Sequence, residues 1–492
     1  MGRWIRALAF AALLLGVTGV VAAAEDASLE SRAKEFLSAV STGRPGEMER
    51  LVKESFGADM QKIPMPAHIG ILSSFWDMTR GMDFVRLEPV GPDRGFLIVH
   101  NRLTGLENVI AMGVEPAPPH RISAVFAQGL IDVGQPIPLP PPEPPARARS
   151  DAQIARELSA HLDRLVSAEV FSGAVLLAKN GKIVFQHAYG QADKEAGVAN
   201  RMDTRFALAS MHKMITGVAV AQLVAKGKLS YEDPLSKFYP GAPAGSAATK
   251  IRIKHLVSNT SGLGFWFSPN NPADNDHNPP TSEDTLREVS QETLQFEPGT
   301  RYQYSNIGFM VLGPVIEQAS GMTYGDYVRE YIYKPAGMQN GDAPKKPSPA
   351  SFAYGYLKSF DEHGKAQFTR QETPQPFSGP GNPAGGGYAS AGDLLKFTEA
   401  LRAGKLLSGP DTHLVMTPKP ELSALTYGYG FDIENPPQDG VGHSGGSIGT
   451  SNNVEMFTRS GWTAIVLTNY TERTFEMSEP VVRKIRELLA QP

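Results

Sequence analysis

A proline-rich segment is the feature that most restricts how this chain can fold. Prolines occupy seven of the twelve positions from Gly134 to Pro145, and an Ala-Arg-Ala-Arg stretch follows. Each proline fixes its φ angle and lacks a backbone donor, so the segment cannot continue a helix or a central strand and favours an extended spacer. We therefore predict a linker over residues 134–150, which separates a small unit at 25–133 from a larger one at 151–492.

The composition excludes several classes of function. The chain has 492 residues, 41% of them hydrophobic, which is enough for a sizeable core. Lys and Arg number 47 against 51 Asp and Glu, so the net charge is −4 and no basic surplus points to a nucleic acid partner. Because the chain has no cysteine, disulfides, thiolate metal sites and a cysteine nucleophile are all excluded. Any chemistry must use oxygen and nitrogen groups.

The first residues are typical of a secretory signal peptide. Arg3 and Arg6 precede an apolar stretch at residues 7–22, and the small residues at positions 22–24 offer an Ala-x-Ala cleavage site. The apolar run is shorter than the roughly 20 residues that span a bilayer, which argues against the alternative, an uncleaved membrane anchor. We expect residues 1–24 to be removed and the mature protein to be periplasmic or secreted, with no stable membrane anchor.

The region before the linker combines helices and strands. Apolar residues at helical spacing predict helices over residues 28–40 and 47–56. Strand patterns follow at residues 84–90, 94–102, 107–114 and 121–127. Two or three helices followed by a meandering sheet resemble the small α+β cone of nuclear-transport-factor-type domains, over roughly residues 27–133. This region shows no candidate catalytic cluster, so we expect a docking or dimerisation module, with a small-ligand pocket as the alternative.

The region after the linker predicts an antiparallel sheet built from both ends of the chain. Asn180-Gly181 lies between two strand patterns and is a strong hairpin signal. The patterns are, in order, a helix, the two hairpin strands, a long apolar helix, two further strands and a closing helix, at residues 152–168, 172–179, 182–189, 209–226, 453–457, 462–468 and 476–489.

The candidate nucleophile of the larger unit is Ser210. It starts the long apolar helix and forms a Ser-x-x-Lys pair with Lys213, whose i, i+3 spacing places both on one helix face. Such a pair occurs about once by chance in a chain this long, and Ser31 with Lys34 is an example in a polar helix. Burial disfavours the ammonium form of a lysine, so Lys213 could act as a base. The helix N-terminus would favour an oxyanion, and an ordinary N-cap serine is the alternative.

Two further segments could contribute to the same cleft. Tyr304 and Asn306 are two residues apart, so both side chains could face one cleft from an extended segment. A core tyrosine with a satisfied hydroxyl is the alternative. His443 precedes three small residues that allow close approach of the backbone just before a strand, Ser444, Gly445 and Gly446. Here the alternative is a glycine-rich turn.

In this order the three segments resemble the serine β-lactamase and penicillin-binding-protein family, and within it the class C branch with its esterases and D-aminopeptidases. Supporting segments include Asn259-Thr260-Ser261-Gly262-Leu263 and Gly385-Gly386-Gly387-Tyr388, and the likeness spans about residues 155–490. The resemblance implies an α+β fold, in which an antiparallel sheet flanked by helices is joined to an all-helical cluster. Here the small cone-type domain precedes it.

The resemblance also implies roles for individual residues. Ser210 would be the acylated nucleophile, and a coupled Lys213 and Tyr304 pair would move its proton, with either one as the base. Asn306 would bind the acyl-side amide or carbonyl of the substrate. The backbone N–H groups of Ser210 and Gly446 would form the oxyanion hole. Ser444 and Gly445 would contact the substrate, and His443 would occupy the position where the lactamase pattern has lysine.

His443 and Asn259 depart from the family pattern. A histidine that titrates near pH 6.5 replaces a fixed cation, so the site would bind a substrate carboxylate less well at neutral pH and better as the pH falls. This favours an esterase or peptidase over an efficient β-lactamase. Asn259 stands where relatives commonly have histidine, and we interpret it as structural.

Other enzyme classes fit less well. Ser444 lies in a Gly-x-Ser-x-Gly segment, but no histidine follows it as the α/β-hydrolase order requires. We expect no metal and no cofactor, since no His-Glu-x-x-His or comparable cluster occurs. The sequence therefore predicts an exported serine hydrolase that acts on esters, amides or D-amino-acid peptides. The alternatives are a β-lactamase proper and a catalytically silent module that binds cell-wall peptide or a protein partner.

Overall fold

The computed structural model describes most of the chain: residues 22–127, 148–265, 282–339, 341, 352–371, 381–434, 439–472 and 476–490. The predicted signal peptide up to position 21 and the predicted linker up to position 147 lie outside the described residues. The first helix, α1 (Ala22–Val40), runs through the expected cleavage point after residue 24.

Residues 22–127 form helices followed by an antiparallel sheet, in the order that the sequence patterns predict. Two helices come after α1, namely α2 (Pro45–Ser55) and α3 (Met65–Thr79). The four strands pair in sequence order: β1 (Met82–Gly91), β2 (Arg94–Asn101), β3 (Glu107–Val114) and β4 (Ile122–Ala127). Phe36, Phe75 and Leu97 are buried in a core that these helices and strands share.

The larger unit contributes its strands from both ends of the chain, as expected. Within the described residues they are β5 (Gly173–Lys179), β6 (Lys182–Tyr189), β7 (Gln191–Asp193), β8 (Val198–Ala199), β9 (Phe206–Ala207), β10 (Tyr356–Phe360), β11 (Ala366–Arg370), β12 (Tyr388–Ala389), β13 (Asp432–Ile433), β14 (Gly440–Ser447), β15 (Thr450–Phe457), β16 (Trp462–Thr468) and β17 (Tyr470–Glu472). The central sheet has the order β13-β14-β15-β16-β5-β6 and is antiparallel throughout. Strand β14 therefore lies near one edge of this sheet.

Helices flank the sheet and form a separate cluster. In the described residues of the larger unit they are α4 (Asp151–Ser167), α5 (His212–Ala225), α6 (Ala247–Lys250), α7 (Ile253–Val257), α8 (Ser282–Gln291), α9 (Asn306–Ser320), α10 (Tyr324–Val328), α11 (Lys334–Ala336), α12 (Ala391–Arg402), α13 (Gly409–Val415) and α14 (Glu479–Leu489). None of the helices in the described ranges has both the length and the apolar character needed to cross a membrane. The antiparallel sheet with flanking helices confirms the predicted fold class.

The helix after Ser210 begins three residues later than the sequence pattern predicts. Ala209, Ser210 and Met211 form a 3₁₀ turn, and α5 starts only at His212. The φ angle of Ala209 is +50°, in the left-handed region, so the chain cannot enter a regular α-helix at that residue. Ser210 consequently sits on a strained turn instead of in the helix itself.

The two units are joined by a buried ion pair as well as by the chain. Lys358 of β10 donates to the Asp77 carboxylate of α3 at 2.5 Å and to the main-chain oxygen of Glu169 at 2.9 Å. The Lys358 side chain is fully buried and that of Asp77 is 6% exposed. Arg80 donates to Asp77 at 2.9 Å and to the Ala168 carbonyl at 2.8 Å. The small unit is therefore packed directly against the larger unit.

Candidate active site

The Ser210 turn is held between β14 and the glycine segment at residues 385–387. A Cβ atom on Gly445 would lie 2.2 Å from the Leu208 carbonyl oxygen, so only glycine lets β14 approach this closely. On the other side the Leu208 N–H donates to the Gly387 carbonyl at 2.9 Å. Ser210 itself is half-buried, which leaves its hydroxyl accessible to a substrate.

Lys213 is buried directly behind the Ser210 hydroxyl. Its Nζ atom lies 3.3 Å from Ser210 Oγ and 2.7 Å from Asn306 Oδ1, and it also donates to the main-chain oxygen of Ala384. The lysine side chain has no exposed surface because α5 is covered on all sides. Burial lowers the pKa of Lys213 to about 7, although the nearby Asp432 carboxylate acts in the opposite direction.

The partners of Lys213 suit a neutral amine. An uncharged amine has two hydrogens and one lone pair, whereas the carbonyl oxygens of Asn306 and Ala384 can only accept hydrogen bonds. Those two oxygens take the two hydrogens. The lone pair is left for the third contact, so the Ser210 hydroxyl can donate its proton to Nζ.

Tyr304 lies over this pair and is half-buried. The Nζ atom of Lys213 is 4.8 Å from the centre of the Tyr304 ring, and the centres of the Phe265 and His443 rings lie 5.8 and 6.2 Å from it. Burial raises the pKa of the Tyr304 phenol, and its hydrogen bond with Ser210 opposes this only in part. Tyr304 is therefore protonated at neutral pH and is suited to donate a hydrogen bond.

Asn259 holds the segment that carries Tyr304. Its main-chain oxygen accepts from the Gln303 N–H at 2.8 Å, and its side-chain oxygen accepts from the Ser305 N–H at 3.1 Å. The φ angle of Asn259 is +57°, a conformation that asparagine tolerates better than most residues. Asn259 is fully buried, so it acts on the site by fixing the two residues on either side of Tyr304.

His443 and the three small residues after it lie within β14 itself, and the prediction that they precede a strand was wrong. The His443 ring is buried. Nδ1 is 2.6 Å from the Ser444 carbonyl oxygen, and Nε2 is 3.0 Å from the Tyr427 hydroxyl. A carbonyl only accepts, so Nδ1 carries the hydrogen and Nε2 of the neutral ring accepts from Tyr427. Burial lowers the pKa of His443, although Asp432 favours the charged form. A substrate carboxylate would have to displace one of these partners, so this geometry does not favour the pH-dependent contact expected above.

The unpaired edge of β14 faces the Ser210 turn, and the Asp432 carboxylate lies beside this edge. Strand β13 pairs only with Val441 and Gly442, and beyond them the Ser444 N–H donates to the Asp432 carboxylate at 3.3 Å. Alternate N–H groups of a strand point to the same side, so the Gly446 N–H points to this edge as well. Nothing lies within 4 Å of the position that a Cβ on Gly446 would take, so this residue is open on the face of β14 opposite to Gly445.

The structure brings together the residues that the sequence analysis selected and adds three that it missed. Ser210, Lys213, Tyr304 and Asn306 form one cluster, with β14 beside it. The missed residues are Ala384, Tyr427 and Asp432. Ala384 contributes only a main-chain oxygen, which a pattern of side chains cannot reveal. Tyr427 and Asp432 lie outside the three segments that carry Ser210, Tyr304 and His443. Within the described residues, no group of three or more acidic or histidine side chains is placed to hold a metal ion.

Comparison with protein families identifies the class of this fold and site. The model of the Beta-lactamase family matches residues 154–485, which is more than half of the chain. The chain therefore belongs to the β-lactamase family. The match covers the Ser210 cluster and β14 and leaves out the small leading unit.

Three similar proteins are an esterase, a penicillin-binding protein and a D-amino acid amidase. Esterase EstB of Burkholderia gladioli is 32% identical over 289 residues, covering 53% of this chain and 73% of the esterase. The crystal structure of a penicillin-binding protein from Bacillus halodurans superposes with a TM-score of 0.54 and 26% identity, covering 68% of this chain and 98% of that one. D-amino acid amidase from Ochrobactrum anthropi SV3 shares the fold, with a TM-score of 0.56 at 21% identity, over 69% of this chain and 98% of its own.

Proposed function

We propose that this protein is a serine hydrolase that forms an acyl-enzyme on Ser210 and hydrolyses esters and amides, including D-amino-acid derivatives. The observation that carries this proposal is the contact of Ser210 with a buried lysine whose other two partners are both carbonyl oxygens. The chance pair Ser31 and Lys34 provides a contrast, because Lys34 is exposed and forms an ion pair with Glu30. An exposed lysine that is paired with a carboxylate stays charged, so it cannot accept the proton of a neighbouring serine.

Acylation would begin with proton transfer from Ser210 to Lys213. As the Ser210 oxygen bonds to the acyl carbon, its proton moves to Nζ, and the carbonyl electrons move onto the substrate oxygen. The C–O or C–N bond to the leaving group then breaks. Lys213 passes the proton, through the Tyr304 hydroxyl, to the leaving oxygen or nitrogen. Water repeats these steps on the acyl-enzyme and releases the acid, which regenerates Ser210.

The negative charge on the substrate oxygen requires backbone donors. The N–H groups of Ser210 and Gly446 are suited to this role, because the Ser210 turn and the free edge of β14 lie side by side. Removal of one such donor in other enzymes costs about 10²–10³ in kcat. Asn306 would hold the acyl side of the substrate with its amide nitrogen, since its oxygen is already bound to Lys213.

The charges around the cleft favour neutral or cationic substrates. His443 is buried and neutral, so the β14 position where the lactamase pattern has lysine holds no fixed cation. Asp432 adds a carboxylate 3.3 Å from the Ser444 N–H, and its side chain is 42% exposed. A substrate carboxylate at this edge would be repelled, whereas the amine of a D-amino-acid amide would be attracted. This argues for esterase and amidase activity over β-lactam hydrolysis.

Three matched acyl substrates test this substrate class. Their acyl parts would be of equal size and carry an ammonium, no charge or a carboxylate, and kcat/KM would be measured for each. We expect the carboxylate to be the poorest substrate, and Asp432→Asn to reduce the preference for the ammonium over the carboxylate at least about tenfold, the effect of 1.4 kcal/mol. Best turnover of the carboxylate substrate or of a β-lactam by the unmodified enzyme would contradict the proposal.

We also propose that residues 1–24 are removed during export and that the leading unit mediates dimerisation. The support is the charged and apolar pattern at residues 3–22 and the absence of candidate catalytic groups in residues 25–133. The intact mass of the secreted protein and its molar mass in solution test the two statements. A mass that includes Met1 would contradict the first, and a monomer at micromolar concentration would contradict the second.

A further inference from the structure

A cavity of about 280 Å³ lies between the leading unit and α14. The leading unit supplies its apolar wall, which includes Met78 of α3 and Val109 and Ile110 of β3. The other side is formed by the start of α14. None of its lining residues belongs to the Ser210 cluster. The volume is close to the lower end of small-molecule pockets, roughly 300 Å³.

Three charged side chains line this cavity from the α14 side, namely Glu476, Glu479 and Arg483. In the part of the chain that the structure describes, none of the three forms a hydrogen bond or an ion pair. Glu476 is exposed, whereas Glu479 and Arg483 are half-buried. A half-buried carboxylate such as Glu479 loses part of its hydration beside an apolar wall, and a cationic ligand would offset that cost.

The charges at the cavity do not balance. Glu479 and Arg483 are one helical turn apart and compensate each other in part. Arg486 also favours the charged form of Glu479, but it is already paired with Glu434 and Glu455, which leaves Glu476 as the surplus charge. Glu107 lies near enough to favour the charged form of Arg483, but Arg86, 3.6 Å from its carboxylate, offsets this negative charge in part. Burial also raises the pKa of Glu479, although Arg486 and Arg483 both favour its charged form. A cationic group therefore fits here better than an anionic one.

We propose that this cavity is a binding site for a small amphipathic ammonium compound, whose apolar body lies against Met78, Val109 and Ile110 and whose ammonium group lies between Glu476 and Glu479. The site uses residues of both units, so neither unit forms it alone. Its occupation is independent of the chemistry at Ser210. Because the ligand contacts both units, its binding stabilises their association and raises the melting temperature.

Calorimetric titration of the full chain with Ser210→Ala tests the proposal without turnover. The probes are phenethylammonium, the neutral 2-phenylethanol and the anionic 3-phenylpropionate. We expect saturable binding of one phenethylammonium per chain, at least about tenfold tighter than the alcohol, because a charge-assisted hydrogen bond contributes about that factor or more. Equal affinity for the amine and the alcohol, tighter binding of the acid, or no saturable binding of the amine would overturn the proposal.

Variants of α14 locate the binding. Glu476→Gln and Glu479→Gln together should weaken phenethylammonium binding at least about tenfold, whereas Glu487→Gln, on the same helix but paired with Lys484, should leave it unchanged. The melting temperature checks that the variants fold, and the exposed Glu476→Gln alone should weaken binding if the double variant is unstable. Undiminished binding in Glu476→Gln and in the double variant would overturn the proposal.

Discussion

The hydroxyl of Tyr427 lies 3.0 Å from Nε2 of His443 and donates to this ring, which burial keeps neutral. With Nδ1 committed to the Ser444 carbonyl, the ring has no free nitrogen for a substrate. His443 therefore supports β14 from behind. This differs from the role of a titrating contact that the sequence suggested.

The dependence of KM on pH distinguishes these two roles of His443. Burial lowers the pKa of His443, so the ring stays neutral as the pH falls through 6.5, where an exposed histidine would gain a proton. We expect the ratio of KM values for a carboxylate ester and a matched neutral ester to show no change centred on pH 6.5. A ratio that falls with the pH and becomes constant in His443→Gln would show that the ring binds the carboxylate.

Lys213 should determine the alkaline increase in activity. Its pKa is lowered to about 7, and only the unprotonated amine can accept the Ser210 proton. For a neutral ester, kcat/KM should therefore rise with pH and reach half its maximum near pH 7. Lys213→Ala should lower kcat/KM by about 10²–10⁴ and remove this increase. Lys34→Ala is the matched control, and an unchanged pH profile in Lys213→Ala would contradict the assignment of the base.

Asn259 should affect turnover through Tyr304. Asn259→Gly keeps the left-handed conformation but removes the acceptor for the buried Ser305 N–H, a loss of about 1–3 kcal/mol. We expect kcat to fall by about 10- to 100-fold while KM changes less, because Tyr304 acts mainly in the transition state.

Asn180→Gly is the control for this variant. Asn180 also has a positive φ angle, +48°, but it lies in the exposed hairpin turn between β5 and β6. This variant should keep full activity. Equal effects of the two substitutions on kcat would mean that Asn259 contributes only to general stability.

The buried pair of Asp77 and Lys358 should stabilise the contact between the two units. Asp77→Asn leaves a buried lysine without its carboxylate, which typically costs about 3–5 kcal/mol of unfolding free energy. Denaturant unfolding measures this loss, and kcat of the folded enzyme should change little. Asp59→Asn, in an exposed pair with Lys62, is the control that should leave the unfolding midpoint unchanged. If both variants unfolded like the parent, the pair would not hold the units together.

Short sequence patterns predicted the turns, strands and helices that are determined by neighbouring residues. Asn180-Gly181 predicted the hairpin, and both residues have the positive φ angles, +48° and +75°, that a tight turn requires. Four strands of the central sheet, β5, β6, β15 and β16, and the long apolar helix were likewise visible in the spacing of apolar residues, whereas β13 and β14 were not predicted. The Ser-x-x-Lys spacing placed Lys213 next to Ser210, since both lie within one turn of chain.

Contacts between distant segments could not be predicted in this way. The left-handed conformation of Ala209, which delays the start of α5, lies where β14 and residues 385–387 pack against the Ser210 turn. The neutral state of His443 depends on the depth at which its ring is buried, and its Nε2 is bound by Tyr427, sixteen positions away in the chain. Both features arise from tertiary packing, which residue spacing does not encode.

Mapping the site of covalent modification tests the central claim most directly. The protein would be labelled with a fluorophosphonate, digested and analysed by mass spectrometry, alongside Ser210→Ala, Ser31→Ala and Ser444→Ala. We predict one label per chain on the peptide that contains Ser210, and loss of both labelling and ester turnover in Ser210→Ala alone. Labelling on Ser31 or Ser444, together with normal turnover by Ser210→Ala, would contradict the account.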